Sequence, residues 1–276
     1  MDGKRVLITG GNSGIGIVTA TELARRGAEV VLACRDSDKT AAALDVINAE
    51  ASIPAVNLPV ELASLQSIRN LAANFLVRYD RLDVLINNSG LFPLKQHMTD
   101  DGFEMQFGVN HLAPFLLTNL LQDCLKRSAP ARVVTVASTL HKKGKLELEA
   151  VRGYDKYSGQ AAYNTSKLYN VMFAMELARR LDGTGVTSNV LHPGAVATDI
   201  VRDLPWLLRK LIGMMFIAPE KGALTSIMLA SDPNLESVSG KYYDQCELAE
   251  YSPLADDEAL RVRLWDLSSE LTGVNS

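Results

Sequence analysis

Tyr163 and Lys167 stand four residues apart in Tyr163-Asn164-Thr165-Ser166-Lys167, a spacing that puts both on one face of a helix. A tyrosine, with a pKa of about 10, is a poor acid or base at neutral pH unless a nearby cation stabilises its phenolate. Lys167 is such a cation, although the same pair also suits an ordinary surface helix. Ser138 closes the β-branched run that precedes it, so its hydroxyl falls at the carboxyl end of a strand. Open α/β sheets bind ligands at that end. There the hydroxyl can donate to a carbonyl oxygen, or simply end the strand in a turn. A third stretch, Thr9-Gly10-Gly11-Asn12-Ser13-Gly14-Ile15-Gly16, can take a diphosphate on bare backbone N–H groups at a helix N-terminus. Gly10 permits the tight turn, Gly14 the close approach, and Gly16 the packing of helix on sheet.

That use of glycine needs a strand before it and a helix after it. Residues 5–9 read as a short buried strand, and 17–26 carry apolar residues at helical spacing before Gly27. Strand and helix patterns then alternate. Strands are predicted at 29–33, 55–60, 83–86, 132–137 and 186–191, and helices at 39–50, 64–79, 101–127 and 160–181. Pro114 is a kink in the long helix. Alternation of this kind predicts α/β architecture, a doubly wound parallel sheet with helices on both faces. No repeat, low-complexity tract or linker interrupts it, so one domain over 1–276 is expected.

The 276 residues are 47% hydrophobic and 22% charged, with a formal net charge of −4. Such a chain can bury a large core and has no basic surface for nucleic acid. Cys34, Cys124 and Cys246 are odd in number and far apart, which argues against a disulfide framework and for a reducing compartment. The four histidines are scattered, so no metal site is expected. The chain runs straight into its first strand and no apolar stretch is long enough to span a bilayer. The expectation is a cytoplasmic protein.

The end of the second strand bears on the cofactor. Dinucleotide folds commonly place an acid about twenty residues past the glycines, on the adenosine ribose. Here Cys34 and Arg35 hold that place. A guanidinium can bind a 2′-phosphate that a carboxylate would repel, so NADP(H) is expected over NAD(H). Asp36 competes for the role, but Asp36-Ser37-Asp38 reads more simply as a helix N-cap cluster. Arg35 also suits a solvated loop.

Thr9-Gly10-x-x-x-Gly14-Ile15-Gly16, Asn87-Asn88-Ser89-Gly90, Asn110, Ser138, Tyr163-x-x-x-Lys167 and Pro193-Gly194 occur together in this order. By that set the chain resembles the short-chain dehydrogenases/reductases over nearly its whole length. Ala33-Cys34-Arg35-Asp36, Phe107-Gly108-Val109-Asn110-His111-Leu112 and Leu264-Trp265-Asp266-Leu267 are similar to the retinol-dehydrogenase-like branch. The resemblance implies a Rossmann-type fold and NADP(H)-dependent interconversion of carbonyl and alcohol on a lipophilic small molecule.

It implies that Tyr163 is the general acid and that Lys167 lowers the Tyr163 pKa and binds the nicotinamide ribose. Ser138 would orient the carbonyl, and Asn110 would hold a water that relays protons. It places the cofactor along Gly10, Asn12, Ser13, Gly14, Ile15 and Gly16, then Arg35, Glu61 and Leu62, then Asn88, Ser89 and Gly90. Tyr163, Lys167, Pro193, Gly194, Val196 and Thr198 complete the groove. Ser89 stands where the family usually has alanine, Glu61 where it usually has aspartate, and Ala137 where a second serine is common. His111 and His141 flank these positions and read as structural histidines. The resemblance also implies a homo-dimer or homo-tetramer paired through the helices around Leu112 and Leu168. A non-catalytic dinucleotide sensor on the same fold is the alternative, and it would not need the four polar residues Asn110, Ser138, Tyr163 and Lys167 together.

Residues 199–218 form an insert rich in bulky apolar side chains, Leu204, Trp206, Leu211 and Phe216 among them, with Arg202, Arg209 and Lys210 interleaved. It reads as an amphipathic lid over the substrate cleft. An added core or subunit-contact helix fits equally, and an interfacial membrane helix is a third reading.

Overall fold

The computed structural model describes residues 1–194 and 218–274. The first half alternates strand and helix: β1 (Arg5–Thr9), α1 (Gly14–Arg25), β2 (Glu29–Cys34), α2 (Asp38–Asn48), β3 (Val56–Pro59), α3 (Leu65–Arg78) and β4 (Val84–Asn87). A short α4 (Met105–Phe107) and a π-helical segment (Gly108–Leu112) lead into α5 (Ala113–Arg127). Then follow β5 (Ala131–Val136), α6 (Gly159–Arg180), β6 (Val186–His192), α7 (Pro219–Ser231), β7 (Tyr242–Asp244), β8 (Glu247–Leu248) and α8 (Glu258–Thr272).

The strands form one sheet in the order β3-β2-β1-β4-β5-β6-β7-β8. All neighbours are parallel except β7 and β8. This is the doubly wound α/β sheet expected of the alternating pattern. The near-continuous apolar runs follow from burial on both faces. Leu7, Val31, Leu85 and Val133 face α3, α5 and α6 through Phe75, Phe115 and Phe173. Val6, Ile8, Val30, Leu32 and Ile86 face the other way, onto Leu23, Ile47 and Leu229 of α1, α2 and α7.

Serines open several helices. Ser37, Ser64 and Ser158 accept from the backbone N–H of Thr40, Ser67 and Ala161, capping α2, α3 and α6. Ser13, before α1, makes no such side-chain bond, so the first amides of α1 remain available.

Three details differ from the sequence pattern. The helix predicted over 101–127 starts only at Met105 and passes through the π-helical segment. The Asp101 carboxylate instead accepts from the backbone N–H of Leu65 at 2.8 Å. Pro114 lies in the first turn of α5, where a missing N–H costs nothing, so it does not kink a helix interior. The pattern also passes over β7, β8 and α8, the first two because runs of three and two residues carry no periodicity. Val196, Thr198 and the insert up to residue 217 lie outside the described residues; Ala218 is the N-cap of α7. Leu112 and Leu168 are fully buried inside the chain. Among the described residues no helix is long and apolar enough to cross a membrane.

Candidate active site

The glycine turn is shaped by β4 as much as by its own sequence. Asn88 Nδ2 donates to the carbonyls of Thr9 and Gly10 at 2.9 and 3.1 Å. Thr9 Oγ1 in return accepts from the backbone N–H of Asn88 and Ser89 at 3.0 and 3.1 Å. The backbones are drawn so close that a Cβ on Gly16 would overlap the Gly10 carbonyl oxygen, and one on Gly10 would lie 2.6 Å from Ser89 Oγ. Gly10 also has φ +65°, which favours glycine. The uncapped N-terminus of α1 and this close-approach turn therefore suit a diphosphate.

At the adenosine end, Asn12 Nδ2 donates to Thr40 Oγ1 at 2.9 Å, and Thr40 Oγ1 donates to the Arg35 carbonyl at 2.7 Å. These bonds tie the glycine turn to the start of α2. Cys34 is buried and burial pushes its thiol pKa up, so Cys34 itself stands here as a neutral thiol. The Arg35 side chain is 72% exposed and its Nη1 lies 3.8 Å from Glu61 Oε2. Glu61 also accepts from the backbone N–H of Ala63 at 3.1 Å, and Leu62 is half-buried against the core.

The remaining residues meet past the carboxyl ends of β4, β5 and β6. Ser138 follows β5 and opens a short 3-10 turn, its Oγ accepting from the Leu140 N–H at 3.2 Å. His141 Nδ1 bonds the Ser138 carbonyl at 2.6 Å and its Nε2 accepts from the Ser252 N–H at 3.1 Å. That pattern puts the ring proton on Nδ1. Tyr163, on α6, shares a side-chain hydrogen bond with Ser138, and its ring packs 4.9 Å from that of Phe92. Lys167, one turn on, is buried; its Nζ lies 5.6 Å from the Tyr163 ring centre and donates to the Val136 carbonyl at 3.1 Å. A Cβ on Gly90 would come within 3.2 Å of Lys167 Nζ and 3.6 Å of Asn110 Oδ1. Gly90, Asn110 and Lys167 thus share one corner of the site.

Asn110 is fully buried in the π-helical segment. Its Oδ1 accepts from the Leu91 N–H at 2.9 Å, and its Nδ2 donates to the Leu91 carbonyl and to Ser166 Oγ, both at 3.0 Å. Both ends of the amide are therefore engaged within the protein, clamping the chain after β4 onto α6. Pro193 and Gly194 follow β6 at the same edge, Gly194 with φ +84°.

Burial raises the Tyr163 pKa well above its ordinary value, opposed by the bond with Ser138, and lowers that of Lys167 to about 8. The net shift on Tyr163 is thus upward, against the expected lowering by Lys167. Phenolate and ammonium are both charged forms, and taking either out of water disfavours it. Tyr163 is held protonated, as a proton donor must be. His111 bonds Ser268 Oγ at 2.9 Å and burial lowers its pKa to about 3; both flanking histidines are neutral structural groups. Phe92 emerges only from the fold, since a loop aromatic carries no pattern of its own.

Fold and site together define a nicotinamide-dependent oxidoreductase architecture, and residues 4–206 match the short chain dehydrogenase family. The chain belongs to that family. Within it, the chain is 45% identical to Homo sapiens retinol dehydrogenase 14 and 44% identical to Homo sapiens retinol dehydrogenase 12, each match covering 99% of this chain and 88% of the relative. It therefore falls in the retinol-dehydrogenase-like branch. A solved structure from Mycobacterium paratuberculosis superposes with a TM-score of 0.79 at 34% identity, over 99% of this chain and 94% of that one. The Pseudomonas aeruginosa RhlG/NADP active-site complex gives 0.71 at 25% identity, over 88% and 95%.

Proposed function

We propose that this protein is an NADP(H)-dependent reductase and dehydrogenase of lipophilic aldehydes, ketones and alcohols. The observation that carries the reading is the buried Ser138–Tyr163–Lys167 group, set at the strand ends beside the glycine turn. The glycine turn and the first amides of α1 would hold the diphosphate, and Lys167 the nicotinamide ribose. When bound, the nicotinamide supplies the hydride.

Tyr163 and Ser138 share the substrate oxygen: Ser138 Oγ donates to it and orients it, while Tyr163 Oη passes its proton to it. Asn110, by holding Leu91, keeps Gly90 beside Lys167. Arg35 beside a neutral Cys34 supports NADP(H) over NAD(H), as does the NADP of the Pseudomonas aeruginosa complex. The retinol dehydrogenases support the lipophilic substrate class. The test is a panel of medium-chain and isoprenoid aldehydes and their alcohols, read by NADPH absorbance and repeated with NADH. Turnover of the lipophilic members with NADPH is expected; inactivity throughout, with the cofactor bound, would favour the sensor reading.

A further inference from the structure

Behind Lys167 lies a set of buried polar atoms that find no partner among the described residues. Asn170 Oδ1, His192 Nδ1, Asp244 Oδ1 and Tyr242 Oη are each buried without a hydrogen bond, although Tyr242 and Asn170 are only 2% exposed. Buried polar groups are costly when unpaired and commonly hold an internal water between them.

Their places converge. His192 ends β6 and pairs in register with Asp244, which ends β7. Tyr242 and Val190, two residues earlier on each strand, pack among Leu168, Val171 and Met172 of α6. Strand alternation therefore turns His192 and Asp244 to the α6 side as well. From α6, Lys167 Nζ and Asn170 Nδ2 both donate to the Val136 carbonyl, at 3.1 and 3.3 Å. Val136 pairs with Leu191, the neighbour of His192. Asn110, by contrast, has both ends of its amide engaged.

We propose that His192, supported by Asp244, is the proton exchanger for the Tyr163–Lys167 pair, joined to Lys167 by water held on these unpartnered atoms. This rests on the catalytic reading above. In carbonyl reduction Tyr163 Oη gives its proton to the substrate oxygen, and the Lys167 ammonium returns one to Tyr163. The His192 imidazolium then reprotonates the Lys167 amine through the water, and His192 takes a proton from solvent. One proton enters per turnover; alcohol oxidation runs the same steps in reverse. The charged and titratable groups that face His192 are Asp244 from β7, which favours its imidazolium, and Lys167 from α6, which opposes it. His141, after β5, is close enough that a charge on His192 helps to keep His141 neutral.

Two measurements test the assignment. The first needs no turnover: the His192 ring is titrated by NMR in the full-length protein without cofactor. Asp244→Asn should lower its pKa and Lys167→Met should raise it. A His192 titration indifferent to both variants overturns the proposal, whatever the enzyme's substrate. The second uses NADPH with an unbranched medium-chain aldehyde turned over by the wild type. His192→Ala should lower kcat on the order of tenfold to a hundredfold, leave the NADPH Kd unchanged, raise the solvent isotope effect on kcat, and recover rate with added imidazole. The milder His192→Gln, which keeps polar bulk but cannot exchange protons, should share the kcat loss. Unchanged kcat in both variants, or a loss that imidazole does not restore while the melting temperature falls, overturns it. An inactive wild type with a responsive His192 would instead count against the substrate reading alone.

Discussion

Tyr163 is the residue on which the proposed chemistry turns, because it is buried, bonded to Ser138 and held protonated. Tyr163→Phe removes one oxygen and the transferable proton. Turnover should fall on the order of 10² to 10⁴, as for loss of a general acid, while NADPH titration by fluorescence gives a near-wild-type Kd. Near-wild-type turnover would take Tyr163 out of the proton transfer. Arg35 is a separate case. Its guanidinium is mostly in water and already 3.8 Å from Glu61, so solvent and a competing carboxylate both weaken its hold on a phosphate. Arg35→Ala should weaken NADPH about tenfold and NADH hardly at all. Glu61→Gln should do the reverse for NADPH, tightening it by freeing Arg35. Equal losses for both cofactors in the Arg35 variant would show that the 2′-phosphate is read elsewhere.

At the scale of elements, the π-helical segment Gly108–Leu112 carries two neighbours with different tasks. Asn110 turns to the site; His111 turns away, into Phe107, Phe115, Tyr169 and Phe173. Burial holds His111 neutral, with its pKa lowered from 6.5 to about 3. The unfolded chain therefore takes up a proton below about pH 6.5 that the fold refuses until far lower pH, so stability falls as pH drops through that window. The slope from one such group reaches about 1.4 kcal/mol per pH unit. His111→Leu should flatten the fall in melting temperature between about pH 6.5 and pH 5. His141 and His192, also lowered by burial, leave a residual slope. An unaltered slope would mean that His111 is protonated in the fold.

These elements also mark how far the sequence could be read. Alternating apolar runs announced β1 to β6 and the helices between them, because burial on both faces leaves a strong signal. Tyr163, Lys167, Ser138 and the glycines were visible as types at a spacing. What the pattern could not show was the start of the long helix at Met105, since Asp101 to Glu104 are compatible with a helix until Asp101 is seen holding Leu65. Asn110 was nameable by resemblance, yet its clamp on Leu91 depends on a loop meeting a π-turn from 19 residues away. His192 and Asp244 were invisible as a pair, because 51 residues separate neighbours that register alone brings together (244 − 192 − 1).

Across the whole molecule, α8 closes the face of α5 and α6. Trp265 meets Phe115 edge-on at 4.9 Å and stacks on Phe173 at 6.0 Å, with the Arg180 guanidinium 4.4 Å over its ring. Ser268 bonds His111, and the buried Glu176 carboxylate gathers Arg179, Arg180 and, from α8, Arg261. A surface so fully covered from within the chain leaves Leu112 and Leu168 no exposed area to offer a second copy. We therefore expect no pairing through this face: light scattering should show a wild-type monomer, or an oligomer that Trp265→Ala does not dissociate. Trp265→Ala opens a cavity beside Phe115 and Phe173, a loss typically of about 3–5 kcal/mol. At roughly 2–4 °C per kcal/mol for a chain near this size, the melting temperature should fall by about 10 °C. Because the newly bared aromatic surface lies on α5 and α6, the variant should also self-associate at concentrations where the wild type does not. A wild type whose assembly dissociates on Trp265→Ala would mean that α8 builds an interface between copies, and the covering role assigned to it here would be wrong.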